Sequence, residues 1–182
     1  SFNTIDGSFS QLPDLLDPGD LLIFNDSRVS PARVTGRKTT GGKVEILFLD
    51  KGEPIDDGWK VRVLINGKNI QPGTVLKTPM GEEPVETINE TVLDREKGII
   101  NLMIDGTKGP SKIMENVGKI PLPPYIKDYS GDSERYQNVY SREPGSLASA
   151  TARLHFSTDL LTRIKEKGIR TAWITLHVGI ST

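Results

Sequence analysis

Apolar residues recur along this chain with different periods in different stretches. Leu12, Leu15 and Leu16 stand at helical spacing, which predicts a short amphipathic turn or two over residues 9–16. Pro18-Gly19 breaks it. The run Leu21-Leu22-Ile23-Phe24 has strand length and reads as a strand buried on both faces, closed by the polar Asn25-Asp26-Ser27-Arg28. From residue 43 to residue 104 the period becomes two. Val44, Ile46 and Phe48, then Val61, Val63 and Ile65, then Val75, Val85, Ile88, Val92 and 99–104 give several short strands between Gly and Pro turns. That spacing predicts a small barrel or sandwich. Residues 112–117 read as one or two helical turns. The three prolines of 120–126 force an extended path. Residues 133–139 read as a short helix. Over 158–167, Leu160, Leu161 and Ile164 share one face, Ser157 can cap and Gly168 can stop the helix. Ala172 to Val178 reads as a strand.

The order is α/β, then β, then α/β. It predicts an α/β domain, a mixed sheet or open barrel-like layer, built from residues 1–42 and 119–182, with a small β-barrel domain of 43–118 inserted. Both ends of the α/β domain look incomplete.

Composition narrows the function classes. Of 182 residues, 35% are hydrophobic and 26% charged, which describes a folded globular chain. Lys plus Arg number 23 against 24 Asp plus Glu, so no global basic excess announces a nucleic-acid binder, although a local basic patch remains open. The absence of cysteine removes disulfides, thiolate nucleophiles and Cys-based zinc sites. Two histidines, His155 and His177, are the whole imidazole supply, so no His-rich metal site is expected. There is no apolar run of membrane-spanning length and no signal-peptide pattern at the start.

Four clusters carry candidate chemistry. The first is Asn25 to Arg28, with Arg33 beyond it. Polar groups at the C-terminal end of an apolar strand stand where α/β folds bind ligands. The plainer alternative is an Asp26–Arg28 pair on a surface turn. The second is the proline-rich 118–126, a rigid wall or hinge, or simply a linker. The third joins Arg135, Tyr136, Gln137 and Tyr140 to the small-residue run that begins Gly145-Ser146 and ends Thr151-Ala152-Arg153-Leu154-His155-Phe156. Small residues leave backbone N–H groups approachable by an anion, and the two tyrosines, one helical turn apart, can stack on a base. A flexible loop with two surface tyrosines is the alternative. The fourth is Thr175-Leu176-His177-Val178-Gly179 at a strand end. Imidazole titrates nearest neutrality, but a lone strand histidine is commonly a core group bonded to a carbonyl. No P-loop, G-x-G-x-x-G or G-x-S-x-G is present.

These clusters, in this order, resemble the S-adenosylmethionine:tRNA ribosyltransferase-isomerase family of the queuosine pathway. PGDLLIFNDSRVSPARVTGRK at 18–38 is similar to its N-terminal signature, and GGKVEIL at 41–47 to the following strand. GKIPLPPYI at 118–126, ERYQNVYS at 134–141, LHF at 154–156 and TLHVG at 175–179 complete the likeness, which covers roughly the first half of a family protein. The chain departs from the family's P-T-A-G-L-H-F in carrying Ala150 and Arg153.

The resemblance implies a transferase-isomerase. It would move the ribosyl moiety of S-adenosylmethionine onto the aminomethyl group of a 7-deazaguanine at the tRNA wobble position, give epoxyqueuosine, and release adenine and methionine. It implies S-adenosylmethionine as co-substrate, no other cofactor and no metal. The partner is tRNA, and the protein would be monomeric, cytoplasmic and free of membranes. Carried onto this chain, the catalytic candidates are His155, His177 and Asp26, with base and acid not assigned between the histidines. The substrate-binding candidates are Asn25, Arg28, Arg33, Arg135, Tyr136, Tyr140 and Thr151. Lys38 and Lys43 would make backbone-positioning contacts. One rival is an inactive or truncated paralogue acting as an RNA-binding module, to which Arg153 points. Another, an ordinary methyltransferase, lacks its glycine-rich strand-turn-helix.

Overall fold

A computed structural model of the chain describes residues 6–80, 86–96, 98–121, 141–147 and 155–179. A 3-10 helix, Phe9–Leu15, comes first, followed by β1 (Leu21–Asn25) and β2 (Ser27–Val29). Seven strands come next: β3 (Arg33–Lys38), β4 (Lys43–Phe48), β5 (Glu53–Ile55), β6 (Gly58–Asn66), β7 (Val75–Met80), β8 (Glu86–Glu96) and β9 (Ile99–Asp105). Helix α1 (Pro110–Val117), β10 (Glu143–Ser146), α2 (Thr158–Glu166) and β11 (Arg170–Ile174) complete the order. The chain divides into two compact units, Ser1–Val29 with Lys127–Val178, and Ser30–Ile126 with Gly179–Thr182.

The second unit is a closed barrel of six strands. Its order is β4-β3-β7-β8-β9-β6, β6 pairs back onto β4, and β5 extends β6 as a short antiparallel flap. Alternation puts Val34, Val44, Ile46, Phe48, Val61, Val63, Leu76, Val92, Ile100, Leu102 and Ile104 inside, each at most 2% exposed. Closure removes the open sheet edges that would otherwise need cover. The barrel begins at β3, where Gly36 lets β7 come close: a Cβ there would stand 3.1 Å from Thr78 Oγ1 and 3.2 Å from the Lys77 carbonyl. The boundary expected from the sequence between 42 and 43 therefore falls inside the β3–β4 hairpin. Helix α1 starts with Pro110 in its first turn and buries Ile113 completely. Gly118 ends it; a Cβ there would overlap the Pro31 carbonyl oxygen.

One inward position of the barrel is a carboxyl. Glu90 lies between Leu76 and Ile104 in register, is fully buried, and accepts a hydrogen bond at Oε2 from Thr78 Oγ1, 3.0 Å away. Its Oε1 has no hydrogen-bond partner among the described residues. Burial pushes the carboxyl up to about 7, against a smaller lowering by the Thr78 hydroxyl.

The first unit holds two short parallel pairs, β1 with β11 and β2 with β10. Helix α2 behaves as its sequence predicts. Ser157 Oγ accepts the Leu160 N–H at 3.2 Å. At the other end Gly168, at φ +80, allows Gly168 N–H to bond the Lys165 carbonyl and Ile169 N–H the Ile164 carbonyl. The same closure brings Ile164 and Ile169 into one core with Leu160, flanked by Leu12, Leu16, Leu22 and Phe156.

Three expectations shift. The 9–16 turn is 3-10 rather than α, with Pro13 inside it, because proline offers no N–H to an α ladder. Strand β1 is not buried on both faces. Its Ile23 is 61% exposed, since the ribbon has two strands and no element among the described residues covers its outer side. The last strand ends at Ile174 instead of running to 178. The predicted 133–139 helix lies outside the described residues.

Candidate functional site

The site is built where β1 ends. Asp26 N–H still follows the ladder, donating to the Ile174 carbonyl at 2.9 Å. Beyond that the side chain of Asn25 replaces a strand neighbour. Its Nδ2 donates to the Leu176 carbonyl at 2.8 Å and its Oδ1 accepts the Leu176 N–H at 3.0 Å. The same Oδ1 accepts Ser27 N–H at 3.1 Å, which turns the chain from β1 into β2. An amide side chain offers both donor and acceptor, so it can stand in for a peptide unit. This is why β11 stops and residues 175–178 follow a path of their own.

Asp26 fixes the next residue. Its Oδ1 accepts from Thr175 Oγ1 at 2.7 Å. Its carbonyl receives Arg142 N–H at 2.8 Å and Glu143 N–H at 3.3 Å, leading into β10. Its Oδ2 makes no hydrogen bond among the described residues. Two buried hydroxyls lie behind. Ser27 Oγ and Ser146 Oγ are 2.8 Å apart, and Ser146 Oγ accepts Val178 N–H at 2.9 Å. Leu147 N–H donates to the Val178 carbonyl at 2.8 Å.

His177 is thereby held between two tethered residues, Leu176 on Asn25 and Val178 on Ser146. Its exposed imidazole lies flat against Gly145. A Cβ at that position would stand 2.5 Å from Cε1, 2.7 Å from Nδ1 and 2.9 Å from Nε2. Only a residue without a side chain admits the ring there. His177 is therefore not the core histidine that a lone strand imidazole usually is.

His155 has a different setting. It is exposed, and its ring centroid is 5.2 Å from that of Phe9. Phe9 meets Phe156 edge-on at 4.9 Å, Phe156 meets Phe24 edge-on at 5.0 Å, and Phe24 stacks on Trp173 at 5.0 Å. His155 thus ends an aromatic row that starts on β11. Among the described residues no hydrogen bond or ring contact joins it to His177 or Asp26.

Asn25 and Asp26 tie down the segment that carries His177, through Leu176 and Thr175. Arg28 belongs to the same unit, half-buried on β2, with Nη1 donating to Ser141 Oγ at 3.4 Å. Arg33 belongs to the barrel unit, its Nε 3.6 Å from Glu45 Oε1. Arg135, Tyr136, Tyr140 and Thr151 lie outside the described residues, as does Arg153. Thr175, Gly145 and Ser146 stand in the sequence clusters without an assigned role. Gly145-Ser146 was noticeable only as part of a small-residue run. Among the described residues no three His, Asp or Glu side chains gather as a metal-binding group.

The family model described as queuosine biosynthesis protein matches residues 2–182. The chain belongs to the queuosine biosynthesis protein family. Within it, the S-adenosylmethionine:tRNA ribosyltransferase-isomerase of Aquifex aeolicus is 44% identical over 177 residues, covering 96% of this chain and 50% of that protein. The enzyme of the same name from an Azoarcus species is 40% identical over 179 residues, covering 97% and 49%. The crystal structure of an S-adenosylmethionine tRNA ribosyltransferase from Thermotoga maritima is 24% identical, with a TM-score of 0.33, covering 93% of this chain and 45% of that one. The chain spans about half the length of the curated relatives it matches. In this member of the queuosine biosynthesis family the strand-end site lies wholly within the first unit.

Proposed function

We propose that this chain forms part of an S-adenosylmethionine:tRNA ribosyltransferase-isomerase. Its relatives carry that name, and the strand-end site has the groups such a reaction uses. One observation carries the reading. An exposed imidazole, His177, lies against a glycine whose missing Cβ makes the fit possible, in a segment whose Thr175 and Leu176 are tied to Asp26 and Asn25 at the C-terminal end of a parallel strand.

The sulfonium of S-adenosylmethionine acidifies the neighbouring ribose carbon. A base removes a proton there, and the ribosyl unit passes to the aminomethyl nitrogen of the deazaguanine at the wobble position of tRNA. Rearrangement gives the epoxycyclopentanediol; methionine leaves, and adenine leaves with a proton from an acid. His177 is our choice for one proton transfer, because it shares the strand end with Asp26; His155 serves the other. Asp26 Oδ2 takes a ribose hydroxyl, while Thr175 holds Oδ1. Arg28 and Arg33 bind phosphate or the methionine carboxylate. Arg135, Tyr136, Tyr140 and Thr151 line the base and tRNA side. No cofactor beyond the co-substrate is invoked. The barrel is an insertion in the α/β unit, and the protein works as a monomer in the cytoplasm.

The test uses the complete gene product with S-adenosylmethionine and precursor-bearing tRNA. Adenine release that His177→Ala abolishes supports the reading. Formation of S-adenosylhomocysteine in its place makes the protein a methyltransferase. Tight tRNA binding without adenine release favours the RNA-binding paralogue to which Arg153 points.

A further inference from the structure

The outer face of the barrel carries a row of cations that no carboxylate among the described residues pairs with. Register places Lys43 of β4 directly opposite Arg37 of β3, and Arg37 directly opposite Lys77 of β7. All three are exposed and point away from the barrel core. Like charges placed directly across a ladder destabilise it. Among the described residues no carboxylate lies within ion-pairing distance of any of them. The next pair on the same face differs: Thr35 faces Glu45, and Glu45 reaches Arg33 at 3.6 Å.

Beyond Lys43 the row continues into an open cleft of about 750 Å³ lined by Lys38, Lys43, Lys68, Asn66 and Asn69, with one carboxylate, Glu45, which reaches Arg33. Lys38 Nζ donates to the Lys68 carbonyl at 3.0 Å, which fixes that ammonium at the rim. Gly42 leaves the room for it, since a Cβ there would stand 2.7 Å from Lys38 Cε. Neighbouring strands are about 4.8 Å apart, so Lys43 to Lys77 spans about 10 Å. One strand of a nucleic-acid duplex carries about three phosphates over that length. The chain as a whole has a net charge of -1, so the concentration is local.

We infer that the row Lys43–Arg37–Lys77, continued by Lys38 and Lys68, docks the sugar-phosphate backbone of the RNA substrate. This inference rests on the tRNA-modification reading above. It extends that reading to a surface where no step of the reaction takes place. A linear row of cations without carboxylate partners among the described residues fits a linear polyanion better than a compact anion, which one or two lysines would hold.

The experiment measures tRNA affinity of the complete gene product against salt concentration, for wild type and for Arg37→Gln/Lys68→Gln/Lys77→Gln. Removing one phosphate-binding cation lowers the salt slope by about one. The triple variant is expected to bind about tenfold or more weakly at physiological salt, with a slope smaller by about two to three. Its melting temperature should not fall, because like-charge repulsion is relieved. The swap Arg37→Lys/Lys77→Arg, which keeps the charges, should bind as wild type does. If the triple variant lowers the melting point, Lys77→Gln alone decides by a slope change of about one. A wild type that binds tRNA and releases adenine, beside variants with unchanged affinity and slope, overturns the surface and leaves the enzymatic reading standing. Variants that bind phosphatidylserine vesicles more weakly than wild type, yet bind tRNA equally well, overturn it too. A wild type that neither binds tRNA nor releases adenine overturns both.

Discussion

The barrel strands are held by one another, whereas residues 175–178 of the first unit are held mainly by side chains, with one backbone bond from Leu147 N–H to the Val178 carbonyl. In the barrel, β6 pairs with β4, β5 and β9, and its inward residues Val61 and Val63 are covered on every side. In the first unit, Leu176 hangs on the Asn25 amide, Thr175 on Asp26 and Val178 on Ser146. Backbone ladders hold a strand whatever its side chains, within limits of packing. A segment fixed by side chains depends on each of those residues and presents whatever lies between the tethers. Here that is an imidazole. On the function proposed above, the contrast separates a region whose substitutions change stability from one whose substitutions change chemistry.

The largest effect that sharpens this contrast is His177→Ala. It should lower turnover of the complete protein by about 10² to 10⁴-fold, the usual range for loss of a general acid or base. The exposed ring makes no core contact, so the melting temperature should stay where it is. A turnover within a few-fold of wild type would remove His177 from the chemistry.

The barrel's counterpart is Glu90, where pH should act on stability. Its folded-state carboxyl is raised from 4.5 to about 7, so the folded state keeps its proton longer than the unfolded chain. Stability from this group is complete below about pH 4.5 and is lost as pH rises through about 7, on the order of 3 kcal/mol in all. Urea denaturation midpoints between pH 5 and 8 should fall accordingly, and Glu90→Gln should flatten that slope. An unchanged slope in Glu90→Gln would place the pH dependence elsewhere.

Asn25→Ala leaves the Leu176 N–H and carbonyl without their partner. We expect about 1–3 kcal/mol less protection of the Leu176 amide in hydrogen exchange, with barrel amides unaffected. Loss of protection throughout the barrel would contradict the separation of the two regions. The smallest effect is at the α2 cap. Ser157→Ala should destabilise the first unit by about 1 kcal/mol, seen as a lower melting temperature with little change in turnover.

Local chemistry was readable along the chain. Ser157 and Gly168 bracket α2 as their residue types predict, because a cap and a Schellman closure involve neighbours within six residues. The alternation of Val44, Ile46 and Phe48 and of Val61 and Val63 announced inward faces correctly. Asn25, Asp26 and His177 stood out by type and by position at apolar strand ends. Their companions did not. Ser146 meets Ser27 across 119 residues and Thr175 meets Asp26 across 149, and no periodicity reports pairing at that distance. Gly145 looked like loop filler until an imidazole lay on it. Glu90 resisted sequence reading for a different reason. A carboxyl argues for an outward position, yet its phase was set by Leu76 and Ile104 across two ladders.

The sequence by itself determined the helix α2 with its two ends, the period-two β region and the family, because each rests on residue types and near neighbours. Only the tertiary structure decided that the β region closes on itself from β3 onward, that Asn25 takes over where β11 stops, and that three cations line up across β4, β3 and β7. Those are matters of register between distant strands. Register is chosen by the whole set of inward side chains packing together, and no single stretch of chain contains that information.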